Sequence, residues 1–99
     1  MAHVILPSRA ALADFDRIYD FIAPHNSRAA AKVLRSLDKA IQLLAHQPKL
    51  GRPYRHGRHR LRLLVHGDYL VFYRERSGII ELVRVLHGKQ NVGDILDEL

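Results

Sequence analysis

The spacing of apolar positions changes character along the chain, and each change marks an element. His3–Leu6 is a short apolar run stopped by Pro7, which predicts a first strand. Ser8 stands where an N-cap belongs, and Leu12, Phe15, Ile18, Tyr19 and Ile22 then recur at helical spacing. Asp14, Asp16, Arg17 and Asp20 fall on the complementary, wet side of that helix. Pro24 ends it, because proline lacks an amide donor and disfavours helix in the residue before it. Asn26 or Ser27 can cap a second helix running to about Ala45. Its apolar stripe is Val33, Leu34, Leu37, Ile41 and Leu44, with Arg28, Lys32, Arg35 and Lys39 facing water. So short a turn makes the two helices an antiparallel pair.

Pro48 and Gly51-Arg52-Pro53 interrupt all regularity, and the stretch to about Arg58 reads as a loop or an irregular edge. Beyond it the period falls towards two. Arg60–Val65 begins in alternation, Gly67-Asp68 marks a turn, and Tyr69–Tyr73 is rich in β-branched and aromatic residues. Ser77-Gly78 is a further turn before a strand over Ile79–Leu86. Strict alternation there puts Ile80, Leu82, Arg84 and Leu86 on one face and Glu81, Val83, Val85 and His87 on the other. Residues 92–99 read as a short helix or a flexible tail. The order is β-α-α-β-β-β: an α+β fold with an N-terminal strand and a helical hairpin packed on a small, mainly antiparallel sheet.

With 99 residues, the chain is expected to form one domain over 1–99. No apolar run approaches the roughly 18 residues that cross a bilayer, so no membrane partner is expected. The N-terminal segment lacks the basic flank and long apolar stretch of a signal peptide, which makes cytoplasmic localisation the expectation. There is no cysteine, which excludes disulfides, a thiol nucleophile and any thiolate metal site.

The formal charge of +6 is unevenly spread. The first 48 residues carry six basic and four acidic side chains; residues 49–91 carry ten and three; residues 92–99 carry three acidic and no basic ones. Lys49, Arg52, Arg55, Arg58, Arg60 and Arg62 crowd into one stretch. Such a cluster attracts phosphate or acidic protein, or simply keeps a loop solvated. Arginine's planar fork suits carboxylate and phosphate, which favours a partner-binding surface.

Candidate chemistry is sparse. His56-x-x-His59 is the only close histidine pair, and it sits among arginines without a third ligand, so no metal and no cofactor is expected. No serine lies in a nucleophile-elbow sequence, and no glycine-rich phosphate loop exists. Tyr54, Arg58, Arg60, Arg62, Arg84, His87 and Lys89 remain. Histidine or tyrosine moving protons beside arginines can cleave a phosphodiester without metal. Equally, Tyr54 fits as a cover over the sheet edge, Arg84 as the partner of an acid such as Asp14 or Asp20, and His87 as a structural strand end.

Four segments in order carry a resemblance over roughly residues 4–92: Tyr19-Asp20-Phe21-Ile22; Ala40-Ile41-x-Leu43-Leu44 with Pro48-x-x-Gly51-Arg52-Pro53; Tyr69–Arg74; and Val83-Arg84-Val85-Leu86-His87-Gly88. Together they resemble the ParE/RelE superfamily of bacterial toxins. The resemblance implies a type II toxin–antitoxin system, with growth inhibition tied to plasmid maintenance or stress response. RelE-like members cleave mRNA on the ribosome; ParE-like members are associated with inhibition of DNA gyrase. The nucleases commonly open the strand matching Tyr69–Tyr73 with arginine, where this chain has Tyr69. Some follow the last strand with tyrosine or a basic residue, where this chain has Gly88-Lys89-Gln90. Gly51-Arg52-Pro53 and Leu86-His87-Gly88 are similar to the ParE side.

The expectation is therefore a gyrase poison with no catalytic residue, contacting gyrase or the gyrase–DNA complex through Arg58, Arg60, Arg62, Arg84, His87 and Lys89. An acidic, partly disordered antitoxin is expected across the helical hairpin and sheet edge, at Leu12, Phe15, Tyr19, Arg52, Tyr54 and Arg55, giving a hetero-oligomer. The alternative is a metal-independent, ribosome-dependent endoribonuclease using Arg60, Arg62, Tyr73, Arg84 and His87. A third class is a non-toxic interaction domain.

Overall fold

The computed structural model describes residues 2–99; Met1, the first residue of the expected domain, lies outside them. The elements are β1 (Val4–Pro7), α1 (Arg9–Ile22), α2 (Ser27–Leu43), β2 (Arg52–His56), β3 (His59–His66), β4 (Tyr69–Arg76), β5 (Ile79–His87) and α3 (Val92–Leu96). The five strands form one sheet in the order β1-β5-β4-β3-β2, antiparallel except where β1 runs parallel to β5. This is the expected α+β arrangement with one strand more.

The caps explain where the helices begin. The Ser8 hydroxyl accepts from the Ala11 N–H, and the Asn26 side chain accepts from the Ala29 N–H, so Asn26 rather than Ser27 caps α2. The β4–β5 hairpin turns on Ser77 and Gly78, both left-handed at φ 50° and 78°. That pair matches the twist of its flanking strands.

Three expectations need correction. The stretch read as a loop contains β2, which pairs with β3 from Arg52 opposite Leu63 to His56 opposite His59. Pro53 concealed it, but an edge strand tolerates a residue without an amide donor. Second, β5 does not alternate throughout. Phe72 pairs with Arg84 and Tyr73 with Leu82, so Val83 is an extra residue in a bulge. Past the bulge the faces exchange: Ile80, Leu82 and Val85 join the core under the helices, and Val83 and Leu86 join the opposite one. Third, Asp14 is not on the wet side of α1 but fully buried.

The sheet consequently has two cores. On one side the helical hairpin covers it, with Ala11, Ile18, Leu37 and Ile41 against Val71, Tyr73, Ile80 and Val85. On the other, α3 seats the fully buried Leu96 among Leu61, Leu63, Phe72, Val83 and Leu86. Burying one leucine contributes about 1.5–3 kcal/mol, which holds a helix too short to persist alone.

Candidate functional site

The β2–β3 hairpin gathers the arginine-rich stretch and sorts it by side. Tyr54 opposite Leu61 and His56 opposite His59 lie on the α3 side. There Tyr54 meets Phe72 edge-on, with ring centroids 5.2 Å apart, and His56 hydrogen-bonds Asp97 at 2.6 Å. Arg55 opposite Arg60, and Pro53 opposite Arg62, lie on the other side. α1 packs chiefly on β5 and β1, α2 reaches the far end of β3 through Ser36 and His66 at 2.6 Å, and Arg55, Arg58 and Arg60 are exposed. Among the described residues no carboxylate lies within ion-pair distance of Arg52, Arg55, Arg58, Arg60 or Arg62. Arg62 is half-buried and gives one N–H to the Gly51 carbonyl at 2.7 Å.

Arg84 is arranged quite differently. Its guanidinium grips Asp14 with two hydrogen bonds of 2.8 and 2.7 Å. The same carboxylate also accepts from Arg17 and from the Val85 N–H, so four donors saturate it. The hydrogen bond to Asp14 holds the Arg84 pKa above its already high ordinary value, so the cation is permanent. Of the two acids that could pair with Arg84, the fold uses Asp14. Its position was readable: Ala11, Asp14 and Ile18 share one helical stripe, and all three are buried.

Tyr73 is likewise committed. Its hydroxyl donates to the Pro48 carbonyl at 2.7 Å and accepts from the Gly51 N–H at 2.8 Å, tying down the loop that leads into β2. A methyl group on Gly51 would sit 2.7 Å from the Tyr73 ring and 3.0 Å from the Leu63 backbone, so only glycine fits. Burial raises the Tyr73 pKa above the ordinary 10.0, against the lowering effects of Gly51 and Arg62. The Pro48-x-x-Gly51-Arg52-Pro53 segment thus has a mechanical role: it starts the hairpin strand.

His87 lies at the opposite end of the sheet. It pairs with Tyr69, which pairs with His66 at the far end of β3. Six residues of strand separate Arg60 from that row, about 20 Å. The His87 and Tyr69 rings meet edge-on at 5.3 Å, and burial followed by the Asp68 charge raises the Tyr69 pKa. His87 Nδ1 accepts from the Lys89 N–H, and its backbone N–H donates to Gln90. Arg17, Ile18 and the exposed Phe21 complete a cleft of about 360 Å³ here, with Lys89 at its rim. Among the described residues, no group of three or more potential metal-ligating side chains converges.

The expected antitoxin residues fall on two separate surfaces. Leu12, Phe15 and Tyr19 lie on α1, where Leu12 and Tyr19 are exposed and Phe15 packs on the core. Arg52, Tyr54 and Arg55 lie on β2, three strands from β5 and so about 14 Å across the sheet. Tyr54 and Arg55 point to opposite sides.

Comparison with known proteins gives one consistent result. Residues 5–92 match the family described as the ParE toxin of the type II toxin–antitoxin system, parDE. Toxin ParE1 of Caulobacter vibrioides is 35% identical over 86 residues, covering 85% of this chain and 88% of that protein. The fold is similar to a chain of the chromosomal ParDE toxin–antitoxin system from P. aeruginosa, with a TM-score of 0.74, 21% identity and coverage of 87% and 96%. It is also similar to a chain of the RelBE2 toxin–antitoxin complex from Mycobacterium tuberculosis, at 0.65, 20%, 88% and 99%.

Proposed function

The chain belongs to the ParE toxin family of type II toxin–antitoxin systems, and on that premise we propose that it arrests growth by binding DNA gyrase or the gyrase–DNA complex, without performing chemistry itself. The observation that carries this reading is that the groups a nuclease would need are either spent on internal partners or far apart, Arg62 and Tyr73 standing together but both tied to Gly51. Arg84 is occupied by Asp14 and Tyr73 by the Pro48–Gly51 loop. Arg60 and His87 stand about 20 Å apart along the sheet, too far to act on one phosphate. The cations at the hairpin stay accessible, a surface for binding rather than proton transfer.

An acidic antitoxin, disordered in part and folding on contact, is the partner that would silence this surface. An extended segment gains about 3.3 Å per residue, so about five residues cross the three strands from α1, with its exposed Leu12 and Tyr19, to Arg55 on β2, whereas Arg52 lies on the α3 side with Tyr54. Such a segment would cover apolar area at one end and neutralise arginines at the other.

Purified toxin tested against gyrase supercoiling and against ribosome-dependent mRNA cleavage separates the readings. Inhibition of supercoiling with intact mRNA is expected. Cleavage of mRNA with no effect on gyrase overturns the proposal.

A further inference from the structure

We infer that the β2–β3 hairpin binds the phosphate backbone of a nucleic-acid duplex directly, with no gyrase needed to present it. The hairpin carries a local conflict. Arg55 stands directly opposite Arg60, a like-charged cross-strand pair that destabilises a sheet. No carboxylate among the described residues relieves it, and Arg58 adds a third exposed cation at the turn. Polyanion binding relieves that repulsion and releases condensed counterions at the same time.

The side on which the aromatics lie selects the kind of nucleic acid. Proteins that hold single strands stack bases on aromatic side chains. Here Tyr54 is turned away, packed on Phe72, and His56 is held by Asp97 on that same far side. The cationic side carries Pro53, Arg55, Arg60 and Arg62 and offers no ring to a base. It suits the regular backbone of a duplex, read without sequence preference.

This inference rests on the hairpin being the target-binding surface, yet its test contains no gyrase, so either can fail without the other. Binding of the free, full-length toxin to a 20-base-pair DNA duplex is measured by fluorescence anisotropy between 50 and 200 mM salt. Three phosphate contacts, from Arg55, Arg58 and Arg60, predict about a 40-fold loss of affinity over that range. The double variant Arg55→Gln/Arg60→Gln keeps one contact, and its loss should shrink to about 3.5-fold. Its urea-unfolding midpoint should stay level or rise, because a repulsive pair has been removed. An RNA duplex should bind within a few-fold of the DNA, since only backbone is read. Tighter binding of a 20-nucleotide single strand overturns the inference. So does binding of polyglutamate without duplex, or a double variant that folds and binds with unchanged salt dependence.

Discussion

Arginine plays opposite parts at the centre of the sheet and at its β2–β3 margin. At the centre, Arg84 is largely shielded, bidentate to a buried carboxylate, and part of the packing between α1 and β5. At the margin, Arg55, Arg58 and Arg60 face water without a counter-charge among the described residues, two of them directly opposed. A formal charge of +6 counts both kinds alike. Only the marginal set is available to a partner, whereas the central one has already been used to build the fold.

Cutting the central pair should give the largest effect. Asp14→Ala leaves Arg84 shielded from water without its counter-ion and removes an acceptor from the Val85 N–H. A loss of about 3–5 kcal/mol in urea-unfolding free energy is expected. That is a large part of the stability of a domain this size.

Next comes the Tyr73 tie, where Tyr73→Phe strands the buried Gly51 N–H and should cost about 1–3 kcal/mol in the same measurement. The variant also tests pH dependence. Burial raises the Tyr73 and Tyr69 pKa values above 10.0 in the folded chain, so the folded state holds protons that the unfolded state has released. Their contribution is complete below pH 10 and is lost as pH rises through the folded values. Tyr73→Phe should flatten that alkaline fall when thermal midpoints are compared from pH 8 upwards, leaving the share due to Tyr69.

Two smaller effects define the margin. Asp97→Asn weakens an exposed contact with His56 and should shift stability by no more than about 1 kcal/mol. Arg58→Gln/Arg60→Gln should leave the unfolding midpoint level or slightly raised while abolishing growth arrest on expression without antitoxin. A margin that unfolds on losing these two arginines, or keeps full toxicity, would erase the contrast with the centre.

Much of the fold was readable because it rests on local signals. The Leu12–Ile22 and Val33–Leu44 stripes, Ser8 and Pro24, and the two turns at Gly67 and Gly78 speak through their own neighbours. β2 was not readable, because an edge strand needs few apolar residues and can hold the proline that argues against it. The β5 bulge is set by pairing with β4, which period counting along one strand does not register. Asp14 looked solvated because charge outweighed its place on the Ala11–Ile18 stripe. For the candidate site, the arginine cluster was plain, but which arginines are spent internally depends on partners as remote as Asp14 is from Arg84.

The parallel pairing of β1 with β5 has a consequence for the timing of biogenesis. Val4 lies beside Ile79, so β1 has its strand partner only once β5 has been made. Synthesis runs from the N-terminus at about 5–20 residues per second, and long-range contacts of this kind close late. β1, α1 and α2 leave the ribosome before any sheet exists to cover them, and β5 must be threaded between β1 and β4 to complete it. The sheet is therefore completed in one late step, when β5 takes its place between β1 and β4, while the β2–β3 hairpin pairs only with its own neighbours in sequence and can form before it.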